Sequence, residues 1–181
     1  MARIPYITDS QAGESDLVSA IKTRRGGSLN ALDRLLLHSH AVAEGWSPLM
    51  GRVRTDLSVE QKWREFAMCA VAVLNGAEYE WVHHAPLYRD AGGREDQLLA
   101  LRKLSPEPEQ ALADAAFNQQ ERALLRLVVE STLSVSVSNA TFDAARAVLA
   151  DDQKVFEFIV VIASYNMVSR ILVAMDVKPD D

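Results

Sequence analysis

Glu65, Cys69, Glu80 and His84 bring acid/base and nucleophilic capacity together in the middle of the sequence. Glu80 and His84 are four residues apart, the spacing that puts two side chains on one face of an α-helix, and Tyr88 continues the stripe one turn later. A carboxylate, an imidazole and a phenol then line up. Glu65 lies about eleven residues before Gly76 and His84 about eight after it. If the chain folds back at Gly76, a rise of about 1.5 Å per residue leaves an offset of roughly one turn, and Glu65 can face His84. Burial beside Trp63 and Phe66 would raise the carboxylate pKa, while the imidazole would hold or relay its proton near neutral pH. Type and spacing point to an acid/base pair.

The same residues admit plainer roles. A glutamate and a histidine four apart on a helix are often a simple surface pair. His83 points about 100° away from His84 and reads as a surface or interface histidine. Cys69 follows Glu65 by one turn, but a free cysteine is usually a small buried hydrophobe. Tyr165, Asn166 and Arg170 interrupt an otherwise apolar helix and could hydrogen-bond across a subunit contact. Glu80-Trp81-Val82-His83 has the Glu-x-x-His spacing of di-iron bundles, which need a second copy that this chain lacks. His38 and His40 sit at a helix corner without a third ligand at a known spacing, so no metal site is expected. Gly26-Gly27 and Gly92-Gly93 have neither the following Lys-Ser/Thr nor the preceding strand of a phosphate loop.

Apolar residues recurring at three and four predict helices almost throughout. One starts near Ser15, carries Leu17 and Ile21, and ends at Gly26-Gly27. Ser28 reads as the cap of a helix with Leu29, Leu32, Leu35 and Leu36, followed by the His38-Ser39-His40 corner and a helix interrupted near Gly45 and Pro48. Ser58 with Gln61 forms a capping box for a helix through Val59, Phe66 and Leu74, stopped by Asn75-Gly76. A second helix runs at once from Ala77 to Gly92-Gly93, so the two lie antiparallel and back to back. A short helix over Arg94 to Leu101 ends before Pro106 and Pro108. Asn118 and Glu121 cap the next, which frays into Ser134-Val-Ser-Val-Ser138, an extended connector. Ser138 or Asn139 caps a helix over Phe142 to Leu149, and Asp151 or Asp152 opens the last, to Ala174.

The chain has 181 residues, the length of a single domain over 1–181, and its 49% apolar and 24% charged residues fit an ordinary globular core. A net charge of −6 argues against nucleic acid. One cysteine excludes an intrachain disulfide, and the start lacks a secretory h-region, so a soluble cytoplasmic protein with no membrane partner is expected. Leu98, Leu99 and Leu101 suggest an apolar face for oligomerisation.

The segment Arg64-Glu65-Phe-Ala-Met-Cys-Ala-Val-Ala-Val-Leu-Asn75-Gly-Ala-Glu-Tyr-Glu-Trp-Val-His-His84, followed by Ala91-Gly92, resembles the carboxymuconolactone decarboxylase and alkylhydroperoxidase D family. Weaker similarity extends to Leu36-Leu37-His38-Ser39, Glu44-Gly45-Trp46 and Tyr165-Asn166-Met167-Val168. The resemblance implies an all-α, alkylhydroperoxidase D-like bundle with a central antiparallel helix hairpin, assembled as a homo-oligomer, trimer or hexamer. The peroxidase branch carries Glu-x11-Cys-x2-Cys-x3-His, which falls here on Glu65, Ala77, Glu80 and His84. Both motif cysteines are therefore replaced, and no thiol pair remains to attack peroxide and resolve the sulfenic acid. Tyr79-Glu80-Trp81 instead looks like the lyase branch.

That branch implies cofactor-free decarboxylation of a small unsaturated cyclic carboxylic acid, in aromatic catabolism. Glu65, Glu80 and His84 would be catalytic. Tyr79 and Trp81 would shape an apolar wall, Tyr88 would continue the site, and Arg64 or Arg170 would take the substrate carboxylate. The alternatives are a peroxiredoxin-type antioxidant using Cys69, and a non-catalytic or metal-binding oligomer in which Glu80, His83 and His84 serve assembly.

Overall fold

The computed structural model describes residues 2–105 and 107–179, and among them the chain is helical with no strand. Its centre is α5 (Gln61–Leu74), where every residue from Arg64 to Val73 is buried. A helix apolar on all sides has to be enclosed. Here α6 (Glu78–Asp90), α9 (Gln119–Leu133) and α11 (Asp152–Ala174) enclose it. Phe66 meets Tyr88 and Phe117 at ring-centroid distances of 5.7 and 5.8 Å, joining α5 to α6 and to the approach to α9.

The α5–α6 corner sets the position of the site. The Ala77 amide donates to the Ala72 carbonyl at 2.8 Å, closing a Schellman-type turn, and Gly76 supplies the φ of 66° this turn needs. The Asn75 side chain donates to Asn166 Oδ1 at 3.0 Å. Asn166 in turn donates to Thr132 Oγ1 and the Ile162 carbonyl, so the corner is tied to both α11 and α9. By length and composition α11 could cross a membrane, but more than half of its most apolar stretch is buried against the rest of the bundle.

Local caps behave largely as expected. Ser15 caps α2 (Asp16–Arg25), Ser138 caps α10 (Asn139–Leu149) and Asp151 caps α11, while Ser39, read from the sequence only as part of a corner, caps α4 (His40–Thr55). Asn118 and Glu121 form the expected reciprocal box on α9. Residues 134–138 are a connector, with Val135 at a φ of 63°.

Other expectations are corrected. Asn30, not Ser28, caps α3 (Ala31–Leu36), because Asp33 reaches back to complete a capping box. α4 runs unbroken through Gly45 and Pro48, and burial of Ala43, Trp46, Met50 and Val53 offsets the hydrogen bond that proline cannot make. α5 starts at Gln61 without a side-chain cap. Ser58 is taken by Glu157 of α11, whose Oε2 accepts from the Ser58 amide at 2.6 Å, the Ser58 hydroxyl at 2.7 Å and the Val59 amide at 3.1 Å. Two short helices were not anticipated, α1 (Asp9–Ala12) with a Thr8–Gln11 capping box and α8 (Pro108–Leu112) with Pro108 in its first turn. α7 (Glu95–Leu101) passes into a 3-10 turn at Arg102–Leu104, and Pro106 lies outside the described residues. Leu98 and Leu101 are buried within their own chain, leaving Leu99 exposed.

Candidate functional site

The hairpin brings Glu65, Glu80 and His84 together. His84 Nδ1 lies 2.7 Å from Glu65 Oε2 on α5, and Nε2 lies 3.2 Å from Glu80 Oε2 one turn back on α6. Glu65 and Glu80 are 4% exposed and His84 is 6% exposed. Burial on its own would lower the imidazole pKa, but the contacts to Glu65 and then Glu80, with their charges, outweigh it and raise His84 to about 9. At neutral pH the ring is an imidazolium held from both sides. The shorter contact fixes the orientation of the ring through Nδ1 and leaves Nε2 as the looser end. Tyr165 of α11 packs edge-on against the imidazole, with centroids 4.9 Å apart at 86°.

Glu80 and His84 line a cavity of about 40 Å³ together with Tyr79, His83 and Tyr165. That is space for roughly three waters. Glu65 stands behind the imidazole and does not line it. Burial, and then the Glu80 carboxylate, push the Tyr79 phenol up to about 12, and the same two causes raise Tyr165 well above the usual range. Both stay protonated. The arrangement can therefore store a proton on His84, pass it through Glu80 and present two undissociated phenols to a ligand.

Other sequence-derived candidates lie elsewhere. Trp81 is half-buried against the core, away from the cavity wall, under the Arg102 guanidinium 4.0 Å from the ring centroid, and Arg102 is paired with Glu78. Tyr88 is fully buried and donates to Gln97 Oε1 at 2.7 Å, so its place on the Glu80–His84 stripe carries it past the cavity into the core. Arg64 is buried and donates to the Leu57 and Val59 carbonyls, both at 3.0 Å, which anchors the loop before α5. Arg170 donates to the Asn166 carbonyl and Oδ1. Neither arginine lines the cavity, whereas Arg25 and Arg54 do.

His83 is exposed at the rim, stacked on Tyr79 at 4.3 Å, with Nδ1 2.8 Å from the Tyr79 carbonyl. His38 Nε2 contacts the Pro5 carbonyl at 2.8 Å, and His40 is exposed. Among the described residues no group of His, Cys, Asp and Glu is arranged to hold a metal. Cys69 is fully buried, and burial followed by the Glu65 charge pushes its thiol far above the ordinary range, which leaves it un-ionised. Tyr165, singled out in the sequence as a polar intrusion in an apolar helix, lines the cavity, whereas Arg25 and Arg54 carried no such signal and were missed.

Neither a protein-family model nor a curated protein matches the chain. Solved structures that share its architecture include two crystal structures. An uncharacterised peroxidase-related protein from Silicibacter sp. TM1040 superposes with a TM-score of 0.74 at 15% identity, covering 98% of this chain and 93% of that one. A protein of unknown function from Agrobacterium tumefaciens, suspected to be the antioxidant defence protein AhpD, superposes with a TM-score of 0.66 at 19% identity, covering 78% of this chain and 92% of that one. At these identities the likeness establishes the fold: the chain is an all-helical, alkylhydroperoxidase D-like bundle around an antiparallel helix hairpin.

Proposed function

We propose that the protein is a carboxymuconolactone decarboxylase-like lyase, acting in the cytoplasm without a cofactor on a small unsaturated cyclic carboxylic acid. The observation that carries this reading is His84, held between two buried carboxylates at the wall of a cavity. Loss of carbon dioxide beside an unsaturated lactone breaks a carbon–carbon bond, leaves the electron pair in an extended enolate and requires a proton at carbon. In this scheme Glu65 fixes and charges the imidazole through Nδ1, and Glu80 carries the Nε2 proton across to the enolate carbon. The imidazolium and the Tyr79 phenol face the developing oxyanion, and solvent reloads His84. Exposed Val82 and Leu87 on α6, with Met167 and Val173 on α11, fit assembly into a trimer or hexamer.

Thiol-based peroxide reduction is the second reading, supported by the descriptions of the two structural neighbours. It would fall to Cys69, the chain's single cysteine. A paired assay separates the two: carbon dioxide release from γ-carboxymuconolactone and related lactone acids, and peroxide consumption with a thiol donor. The lyase reading expects turnover that disappears in His84→Ala while the helical circular dichroism is kept. Full activity in that variant overturns the assigned roles. Peroxide consumption that vanishes in Cys69→Ser would replace the lyase reading with the redox one.

A further inference from the structure

The mouth of the His84 cavity concentrates cations. Arg24 and Arg25 end α2, Arg54 stands in the last turn of α4, and the carboxylate among them is Asp33 of α3, 1% exposed. Asp33 is fully engaged. Arg25 Nε and Nη2 lie 3.0 and 3.3 Å from its oxygens, Arg24 Nη2 lies at 3.4 Å, and the Asn30 amide donates to it at 3.3 Å. Arg54 donates from Nε to the Met50 carbonyl at 2.9 Å and has no carboxylate partner among the described residues. Burial, and then the charges of Arg25 and Arg54, hold the Arg24 pKa below its usual value, as expected for three guanidiniums within electrostatic reach of one another. Glu80 lines the same cavity but is engaged by His84 Nε2 at 3.2 Å, so Arg54 is left without a carboxylate of its own.

Tyr165 closes the other side. It is 1% exposed and lines the same cavity as Arg25 and Arg54, and its hydroxyl, which has no hydrogen-bond partner among the described residues, is open to that cavity. The cavity's 40 Å³, room for roughly three water molecules, also suits the three heavy atoms of a single carboxylate group. A guanidinium without a carboxylate, a hydroxyl open to the cavity and space for one planar anion coincide.

We propose that Arg54, Arg25 and Tyr165 form a receptor for the carboxylate group of a small organic acid at the mouth of the His84 cavity. Arg54 supplies the unpaired guanidinium, Arg25 is held in place by Asp33, and Tyr165 donates its hydroxyl. Guanidiniums stabilise the carboxylate they hold, so that group stays on the product, the carboxylate lost is a second one, and the receptor acts by holding the molecule at the mouth of the cavity that Glu80 and His84 line. The role in turnover rests on the acid/base reading above, whereas the binding itself can be measured without turnover.

The test is calorimetric titration of the full-length protein with 2-furoate, a five-membered unsaturated ring acid, and with neutral 2-furamide and inorganic phosphate. The expected result is millimolar binding of furoate and none of furamide. Arg54→Gln should weaken furoate at least tenfold, and Tyr165→Phe severalfold, with both variants keeping the wild-type helical spectrum. The phenylalanine variant removes one hydroxyl and serves if the glutamine variant fails to fold. Equal binding of furamide, unchanged furoate binding in both folded variants, or no furoate binding at millimolar concentrations overturns the receptor. Phosphate binding tighter than furoate overturns the carboxylate assignment. If furoate binds through Arg54 but no lactone acid turns over, the lyase reading falls and the receptor stands. If lactone acids turn over with an unchanged KM in Arg54→Gln, the receptor falls and the lyase reading stands.

Discussion

The His84 proton should make the stability of this protein depend on pH in a defined window. Its pKa rises from 6.5 to about 9 on folding, worth about 3 kcal/mol at about 1.4 kcal/mol per unit. The folded state holds the proton more tightly than the unfolded chain does. The stabilisation is therefore complete below pH 6.5 and is lost as pH climbs through about 9. Urea unfolding at pH 6 and at pH 9.5 measures it, and His84→Gln isolates it from the other titrating groups. Wild type should lose about 3 kcal/mol more than the variant across that interval. Glu65→Gln keeps an oxygen that can accept from Nδ1 but removes the charge at 2.7 Å, and should lower the imidazole midpoint by about 1–3 units. Glu80→Gln, across the longer 3.2 Å contact, should lower it less. Nitrogen-detected NMR of the imidazole reads each midpoint directly. A wild-type midpoint at or below 6.5, or one that Glu65→Gln leaves unmoved, refutes the picture of an imidazolium clamped by two carboxylates. Lyase turnover, where present, should fall above about pH 9 as the same proton leaves.

Two further outcomes test the surroundings of the site. A Cβ at Gly93 would sit inside van der Waals contact of the Tyr88 ring, so Gly93→Ala should cost roughly 1–3 kcal/mol in a thermal or urea melt by displacing Tyr88 from Gln97. An unchanged melt would show that the ring moves freely. Cys69, buried and un-ionised, should resist a thiol-specific reagent at pH 8 in the native protein and react promptly in urea. Labelling of the native protein at the rate of an exposed thiol would put Cys69 back among the reactive groups.

What could be read from the sequence and what could not follow one physical division. Ser15, Asn118, Ser138 and Asp151 were legible as caps because each bonds an amide three residues away, so the signal and its partner share one window. Ser58 offered the same local signal with Gln61 and misled, because its amide and hydroxyl go to Glu157, ninety-nine residues on. The Glu65–His84 contact was legible for a related reason. Asn75-Gly76 fixes a tight corner, and a tight corner turns an offset along the chain into a distance between helices. Tyr88 and Trp81 show where that conversion stops: helical spacing gives the face and the height of a side chain but not where the cavity ends.

Arg25 and Arg54 lay beyond reach, and Tyr165 showed only as a polar break in an apolar helix, because they arrive on α2, α4 and α11, whose seating against the hairpin depends on packing spread over the whole core. The groups proposed to handle the proton are thus encoded within one hairpin, while the groups that would recognise a ligand are assembled from three separate helices. Substitutions in α2 or α4 can change what reaches His84 without disturbing the Glu65–His84–Glu80 contacts. On the proposed reading, the type of chemistry would be readable from a short segment, and the substrate would be decided by residues that the segment does not contain.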